Sequence, residues 1–323
     1  MSIIIINPKN MQELHFDGSC YVDATGEIFP IIRGVLRIEA SKNYTDSFGL
    51  QWNKFDKTQL DYDINGHTVS RQRFFAETHW DQQDLSGKEI LEVGSGAGRF
   101  TKVVLEHTQA NLYSVDYSDS VTANYKNNSS IAPDRFHLFQ ASIYELPFPD
   151  DSFDKVFCLG VLQHTPDFNA SVKALIDKTK PGGEIVVDFY AIKGWWTKLH
   201  AKYLIRPVSK RLSNRKLMRM IEANIDWLIQ VERVLHSCKL GLLARFLPIV
   251  DIQGTFPKYL SDAEKREWAV LDTFDMFSPS FDNPQRIKDV VEMFKCFGAE
   301  VTFAGFENFG DSSAAVVRGI KRI

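Results

Sequence analysis

Apolar and polar positions follow two different periods along this chain. Short apolar runs fall at residues 89–93, 111–116, 135–140, 155–159 and 184–190. Between them lie stretches with apolar residues three or four apart, near 97–107, from about 118, and near 169–179. Short runs bounded by turn residues predict strands, and the wider spacing predicts helices. Pro181-Gly182-Gly183 predicts a tight turn into the last of these strands. Strands alternating with helices predict a parallel α/β sheet with right-handed crossovers. Ligands of such sheets sit beyond the carboxyl ends of the strands.

Outside 88–190 the pattern changes. Residues 1–40 hold two apolar runs punctuated by Gly26 and Gly34 and predict a small β element. The run 3–6 reads as a short strand, because it is too short for a leader's apolar region and lacks a basic flank. Residues 41–87 are aromatic-rich and partly helical, and read either as a flap closing over the ligand or as simple packing of Trp52 and Phe55. Residues 191–283 predict helices without strands, an insertion into the α/β unit. Residues 284–323 complete that unit with a helix over 284–297 and two strands, 300–307 and 314–321, joined by a polar turn at Gly310-Asp311 into an antiparallel hairpin.

Composition narrows the classes. The chain has 323 residues, 44% hydrophobic and 24% charged, with net charge −3. These are globular values, and the charge argues against a nucleic-acid coat or a polybasic anchor. Four cysteines are scattered without a CxxC pair, so neither a metal site nor a disulfide framework is expected. No stretch approaches the roughly 20 apolar residues of a membrane span. A cytoplasmic protein is the expectation.

The chemistry begins at Ile90-Leu91-Glu92-Val93-Gly94-Ser95-Gly96-Ala97-Gly98. An apolar strand meets an acid, then three glycines at alternate positions, then a helix. Glycines let the backbone turn sharply and let a ligand lie against bare peptide. Asp116 ends the next strand, where a nucleoside ligand presents its ribose hydroxyls. The spacing is G-x-G-x-G, not the G-x-G-x-x-G of a nicotinamide fold.

With the closing hairpin, the chain resembles the class I S-adenosylmethionine-dependent methyltransferases over roughly 70–190 and 284–323. Further segments match the ubiquinone/menaquinone-type branch: residues 146–154, Gly160-Val161-Leu162-Gln163-His164-Thr165-Pro166-Asp167, and Lys180-Pro181-Gly182-Gly183. The resemblance implies a doubly wound, Rossmann-like, mostly parallel seven-stranded sheet. It implies S-adenosyl-L-methionine as cofactor and S-adenosyl-L-homocysteine as product. Gly94, Gly96 and Gly98 then admit the methionine and ribose portion, Glu92 offsets the ammonium, and Asp116 takes the ribose. Tyr117, Ile143 and Leu159 flank the adenine and methyl region. Ser142 stands where relatives often carry an aspartate for the adenine amine. Arg73 and Thr78 are candidates for the methionine carboxylate, since a guanidinium grips carboxylates bidentately, with solvation on a helix surface as the competing reading of Arg73. Gly98 and Glu92 have a packing or capping role as the competing reading.

Methyl transfer is an in-line displacement, so the enzyme aligns a nucleophile and excludes water. A hydroxyl or ammonium acceptor also needs a base. His164 is the candidate base, with helix capping or pocket lining as its alternative role. Tyr190 is the candidate positioning group, with a packing aromatic as its equal alternative. His79 and Trp80 are read chiefly as packing residues.

The insertion is where the acceptor is read. Residues 191–220 hold nine Lys/Arg and no acid, with Trp195, Trp196, Leu199, Tyr203 and Leu204 at helical spacing. A basic aromatic helix serves a membrane surface, an acidic ligand or nucleic acid, or is a solvated face packed on the domain. Trp268, Asp272, Phe274, Asp275, Phe277 and Tyr259 form an aromatic–acidic cluster suited to a cation or to an ordinary core. The reading is methyl transfer to O or N of a small-molecule or lipid/glycan-linked acceptor. A non-catalytic cofactor-binding module and a nucleic-acid methyltransferase are the alternatives, and no nucleic-acid partner is expected.

Overall fold

The structure, a computed structural model, describes residues 3–38, 43–61, 68–81, 83–310 and 312–323, with the Lys198 side chain also outside the description. Asp311, expected in the hairpin turn, lies outside the described residues.

Four strands come first: β1 (His15–Phe16), β2 (Cys20–Val22), β3 (Ile28–Ile32) and β4 (Val35–Arg37). Helices α1 (Asp46–Lys54) and α2 (Val69–Thr78) follow. The alternating unit runs β5 (Glu89–Val93), α3 (Arg99–His107), β6 (Asn111–Asp116), α4 (Val121–Asn128), β7 (Phe136–Gln140), β8 (Phe153–Cys158), α5 (Phe168–Lys178) and β9 (Thr179–Phe189). The insertion contains α6 (Ala201–Ser209), α7 (Asn214–Ser237), α8 (Gly241–Ala244), α9 (Ile252–Thr255) and α10 (Asp262–Phe277). α11 (Ile287–Cys296), β10 (Ala299–Phe309) and β11 (Ser312–Lys321) complete the chain.

The sheet order is β1-β2-β3-β4-β7-β6-β5-β8-β9-β11-β10. From β7 to β10 this is the expected seven-stranded sheet, parallel except where β11 runs antiparallel to β9 and β10. The amino-terminal strands are not a separate element. β4 pairs in parallel with β7, Leu36 opposite Phe139, so they extend the same sheet. Arg37 secures this edge with a buried guanidinium that donates to Gln140 at 2.5 Å and Thr122 at 3.1 Å.

Strand side chains divide between the two faces with period two. Leu91, Tyr113, Val115, Val156 and Val187 enter one core with α5 and α11. Ile90, Leu112, Phe157 and Val186 enter the other with Phe74, Trp80 and Phe100. Burial on both faces explains why these strands read as continuous apolar runs. Trp80 is buried there, donating to Glu184 at 2.8 Å, and His79 ends α2 in the left-handed region (φ 58°).

Three boundaries differ from expectation. β9 begins at Thr179, so Pro181-Gly182-Gly183 lies inside an irregular strand rather than before it. Residues 284–286 are not helical, and Gln285 bridges Ala191. In the run 3–6, Ile6 makes only an isolated bridge to Glu13.

The insertion has its own core. Leu217, Met218, Ile221, Ile225 and Leu228 recur three or four apart on α7 and pack with Phe256, Val270, Phe274 and Phe277. Phe55, Leu50 and Trp52 join this core. Helix α1 therefore belongs to the helical body, whereas α2 belongs to the sheet domain. Among the described residues no helix is long and apolar enough to cross a membrane.

Candidate active site

The loop after β5 is fixed by its own amides and by Asp116. Gly94 donates to the Val115 carbonyl at 2.7 Å, and Gly96 donates to Asp116 Oδ2 at 2.8 Å. Gly94 and Gly96 have φ of +85° and +55°, a region that costs other residues about 1–2 kcal/mol. A Cβ on Gly94 would come within 2.2 Å of Val161, and one on Gly96 would meet the Trp52 indole at 3.2 Å. Asp116 Oδ1 accepts the Ser118 amide and hydroxyl at 2.8 and 2.7 Å. A carboxylate offers about four acceptor positions, so Oδ2 keeps capacity for a ligand hydroxyl.

Asp116, Gly94 and Gly96 line a cavity of about 670 Å³ beyond the strand ends. Tyr117, Ile143, Leu159, Arg73, His164 and Tyr190 line it too, so most predicted site residues converge. Its other wall comes from α1, through Phe48 and Trp52, and from the insertion, through His200, Lys202, Tyr203, Asp272 and Asp275.

Four predicted cofactor residues are not in the lining. Glu92 is buried behind the loop, accepting Thr101 at 2.5 Å and Ser114 at 2.6 Å, and burial pushes its carboxyl up to about 7. Gly98 turns its Cβ position toward Asn128 and Asn124, at 2.1 and 2.3 Å, so its role is helix packing. Ser142 faces its own loop and accepts the Tyr144 amide at 3.2 Å. Thr78 closes the last turn of α2 on the Phe74 carbonyl at 2.8 Å. Glu92, Ser142 and Thr78 are thus committed to local hydrogen-bond partners.

Arg73 is partly committed. It donates to Glu77 at 2.8 Å and to Asp188, between the rings of Phe100 and Phe309. These carboxylates hold it charged, and a guanidinium's five donors leave others for a ligand carboxylate. Asp188, at the end of β9, also accepts the Gly160 amide. Sequence reading missed Asp188, although its place at a strand terminus was a usable signal.

His164 sits on a short turn, Leu162–His164, packed against Phe48 and Tyr190 at ring distances of 5.2 and 5.6 Å. Nδ1 lies 3.2 Å from the Phe281 carbonyl. A carbonyl only accepts, so Nδ1 carries the proton and Nε2 is the bare nitrogen. Nε2 has no hydrogen-bond partner and lies 3.9 Å from Asp275 Oδ2. Burial lowers the imidazole below its ordinary value, partly countered by Asp275.

Tyr190 donates to Asp275 at 3.4 Å, and the Lys202 ammonium lies 4.3 Å from the Tyr190 ring centre. Burial, with Asp275 next, holds the phenol protonated. Lys202 is itself paired with Asp282 at 2.7 Å. Asp272 is pushed up to about 7 by burial and by Asp275. Asp272 and Asp275, three apart on α10, share one helix face, while Phe274 and Phe277 point into the core.

The donor set fits S-adenosylmethionine: acceptor capacity on Asp116, apolar walls at Tyr117 and Ile143, and cationic donors at Arg73. Comparison with known proteins agrees. Residues 91–187 match the family described as "Methyltransferase domain". A tRNA U34 carboxymethyltransferase from Nautilia profundicola is 30% identical over 34% of this chain and 37% of its own length. A ubiquinone/menaquinone biosynthesis C-methyltransferase from Vibrio vulnificus is 30% identical over 31% and 40%. A mitochondrial ubiquinone biosynthesis O-methyltransferase from Schizosaccharomyces pombe is 28% identical over 46% and 54%. The chain thus spans about a third to a half of these relatives. A magnesium protoporphyrin IX methyltransferase from Synechocystis, solved with S-adenosylhomocysteine, aligns with 86% of this chain and 96% of its own at 13% identity and TM-score 0.47. Family match, sheet order, glycine loop and Asp116 coincide on the same residues: the chain carries a methyltransferase domain of the class I S-adenosylmethionine-dependent family.

Proposed function

We propose that this protein methylates an oxygen or nitrogen of a small acceptor, free or carried on a lipid or glycan, with His164 as the base. The observation that carries this reading is the bare, buried Nε2 of His164 facing Asp275 in the cavity wall. When bound, S-adenosylmethionine would supply an electrophilic methyl carbon, with its sulfur keeping the electron pair of the broken C–S bond as a neutral thioether. The acceptor lone pair forms the new bond, and its proton passes to His164 Nε2. Asp275 stabilises the imidazolium that results. Phe281 keeps the ring in the required tautomer. Tyr190, protonated and bonded to Asp275, orients the acceptor. Phe48, Trp52 and the insertion exclude water, which strengthens each of these interactions.

Calorimetry with S-adenosylmethionine and turnover with an acceptor panel test this. Asp116→Ala weakens cofactor binding on the order of tenfold to a hundredfold, the loss of hydrogen bonds to a charged group. His164→Ala lowers kcat by about 10²–10⁴ while cofactor affinity stays near wild type. Unchanged turnover in His164→Ala rejects the base. A second reading, an RNA acceptor, is supported by the exposed cations Lys193, Lys210, Arg211, Arg215, Lys216 and Arg219 and by the tRNA-acting relative. Transfer to tRNA but to no small acceptor in the panel would select it.

A further inference from the structure

We propose that the outer face of the insertion docks on an anionic phospholipid bilayer. Trp195 and Leu242 are 79% and 82% exposed, and Trp196, Leu204, Leu243 and Phe246 are exposed beside them in sequence. Two hydrogen bonds lay these segments side by side: Arg245 donates to the Trp196 carbonyl, and Ala201 donates to the Arg245 carbonyl, both at 2.9 Å. The two segments that carry these exposed apolar side chains therefore adjoin, and soluble proteins rarely leave large apolar patches uncovered.

Charge selects the occupant. Lys193, Lys210 and Arg211 are exposed, and among the described residues none is paired with a carboxylate. Of the cations of 191–220, Lys202 and Arg206 turn inward instead, onto Asp282 and onto the Met276 and Pro279 carbonyls. These inward bonds fix α6, so its outer face is held outward. A basic rim around Trp, Leu and Phe fits the headgroup boundary of an acidic membrane. Nucleic acid fits less well, because Leu204, Leu242 and Leu243 neither stack on bases nor bind phosphate.

Docking has a consequence for the cavity. Thr197, His200 and Tyr203, from the same segment, line it. The bilayer then lies beside the acceptor chamber, as a membrane-borne acceptor requires. That consequence rests on the proposed reaction; docking does not.

Sedimentation with vesicles separates the two. The wild-type protein is expected to sediment with phosphatidylcholine–phosphatidylglycerol vesicles, less so at high salt, and weakly with phosphatidylcholine alone. Trp195→Ser with Leu242→Ser lowers partitioning on the order of a hundredfold. Lys210→Glu with Arg211→Glu removes the preference for anionic vesicles, which covers the case in which the first variant misfolds. Neither pair lines the cavity, so turnover on a soluble acceptor is retained. Failure of the wild type to sediment, or sedimentation indifferent to both variants, overturns the proposal. So does a concentration-dependent dimer that Trp195→Ser disperses, which would assign the patch to a second copy of the chain. RNA binding without vesicle binding overturns it as well.

Discussion

Asp275 is the residue whose charge should be read out through another. Burial lowers the His164 imidazole more than Asp275 raises it, so the neutral base persists at pH 7 and is lost only on acidification. The acid limb of kcat/KM is expected below the ordinary histidine value of 6.5. Asp275→Asn removes the stabilising charge, moves that limb to lower pH, and reduces kcat because the imidazolium loses its counter-charge. A pH–rate profile checks both; an unmoved limb would detach Asp275 from His164. Residues of the site were unequally legible in the sequence. Gly94, Gly96, Asp116, Tyr117, Ile143 and Leu159 all lie at or just past strand ends, so local pattern located them. Glu92, Gly98, Ser142 and Thr78 share that neighbourhood but turn away, and a one-dimensional spacing cannot show the direction of a side chain. Asp275 and Lys202 were visible only as members of a charged cluster and a basic run. Their approach to His164 depends on how the insertion packs.

At the scale of elements, Glu92 acts as a staple. Its carboxyl joins β5 to β6 through Ser114 and to α3 through Thr101. Burial raises it from an ordinary 4.5 to about 7, so the folded state prefers the protonated form. That contribution is complete below about pH 4.5 and is lost as pH rises through 7. The loss is on the order of 3 kcal/mol, at about 1.4 kcal/mol per pH unit. Glu92→Gln keeps an acceptor for both hydroxyls without the charge. Melting curves from pH 4.5 to 8 should show wild type losing ground to the variant as pH rises; a constant gap would refute the staple's titration. The strands and helices of 88–190 were readable because burial on both faces gives an unbroken apolar signal. β4 was not assigned to the sheet because three residues carry too little pattern to name a partner more than a hundred positions away. Likewise, the glycines of 182–183 signal a turn, yet here they are absorbed as an irregularity within β9.

For the whole molecule, the main division is between a sheet domain and a helical body that α1 joins from far upstream. The cavity lies between them, so the helical core should matter to cofactor binding without touching the cofactor. Phe274 is fully buried in that core and does not line the cavity. Phe274→Ala is expected to cost about 3–5 kcal/mol of stability in the helical body. It should also weaken S-adenosylmethionine binding, since the cavity-lining Trp52 packs on the same core. Calorimetry and melting on one preparation test the pair of effects; lost stability with intact affinity would uncouple the two bodies. The placement of the insertion also governs the making of the protein. β9 pairs with β8 on one side and receives its outer neighbour only when β11 arrives, Phe189 opposite Ala315. At about 5–20 residues per second, a ribosome takes roughly 6–25 s to emit the intervening chain. Throughout that interval the nascent sheet shows an open edge at β9, and a second nascent chain can pair with it. Yield of the folded protein should therefore fall as translation across 191–283 slows, because the open edge of β9 then waits longer for β11.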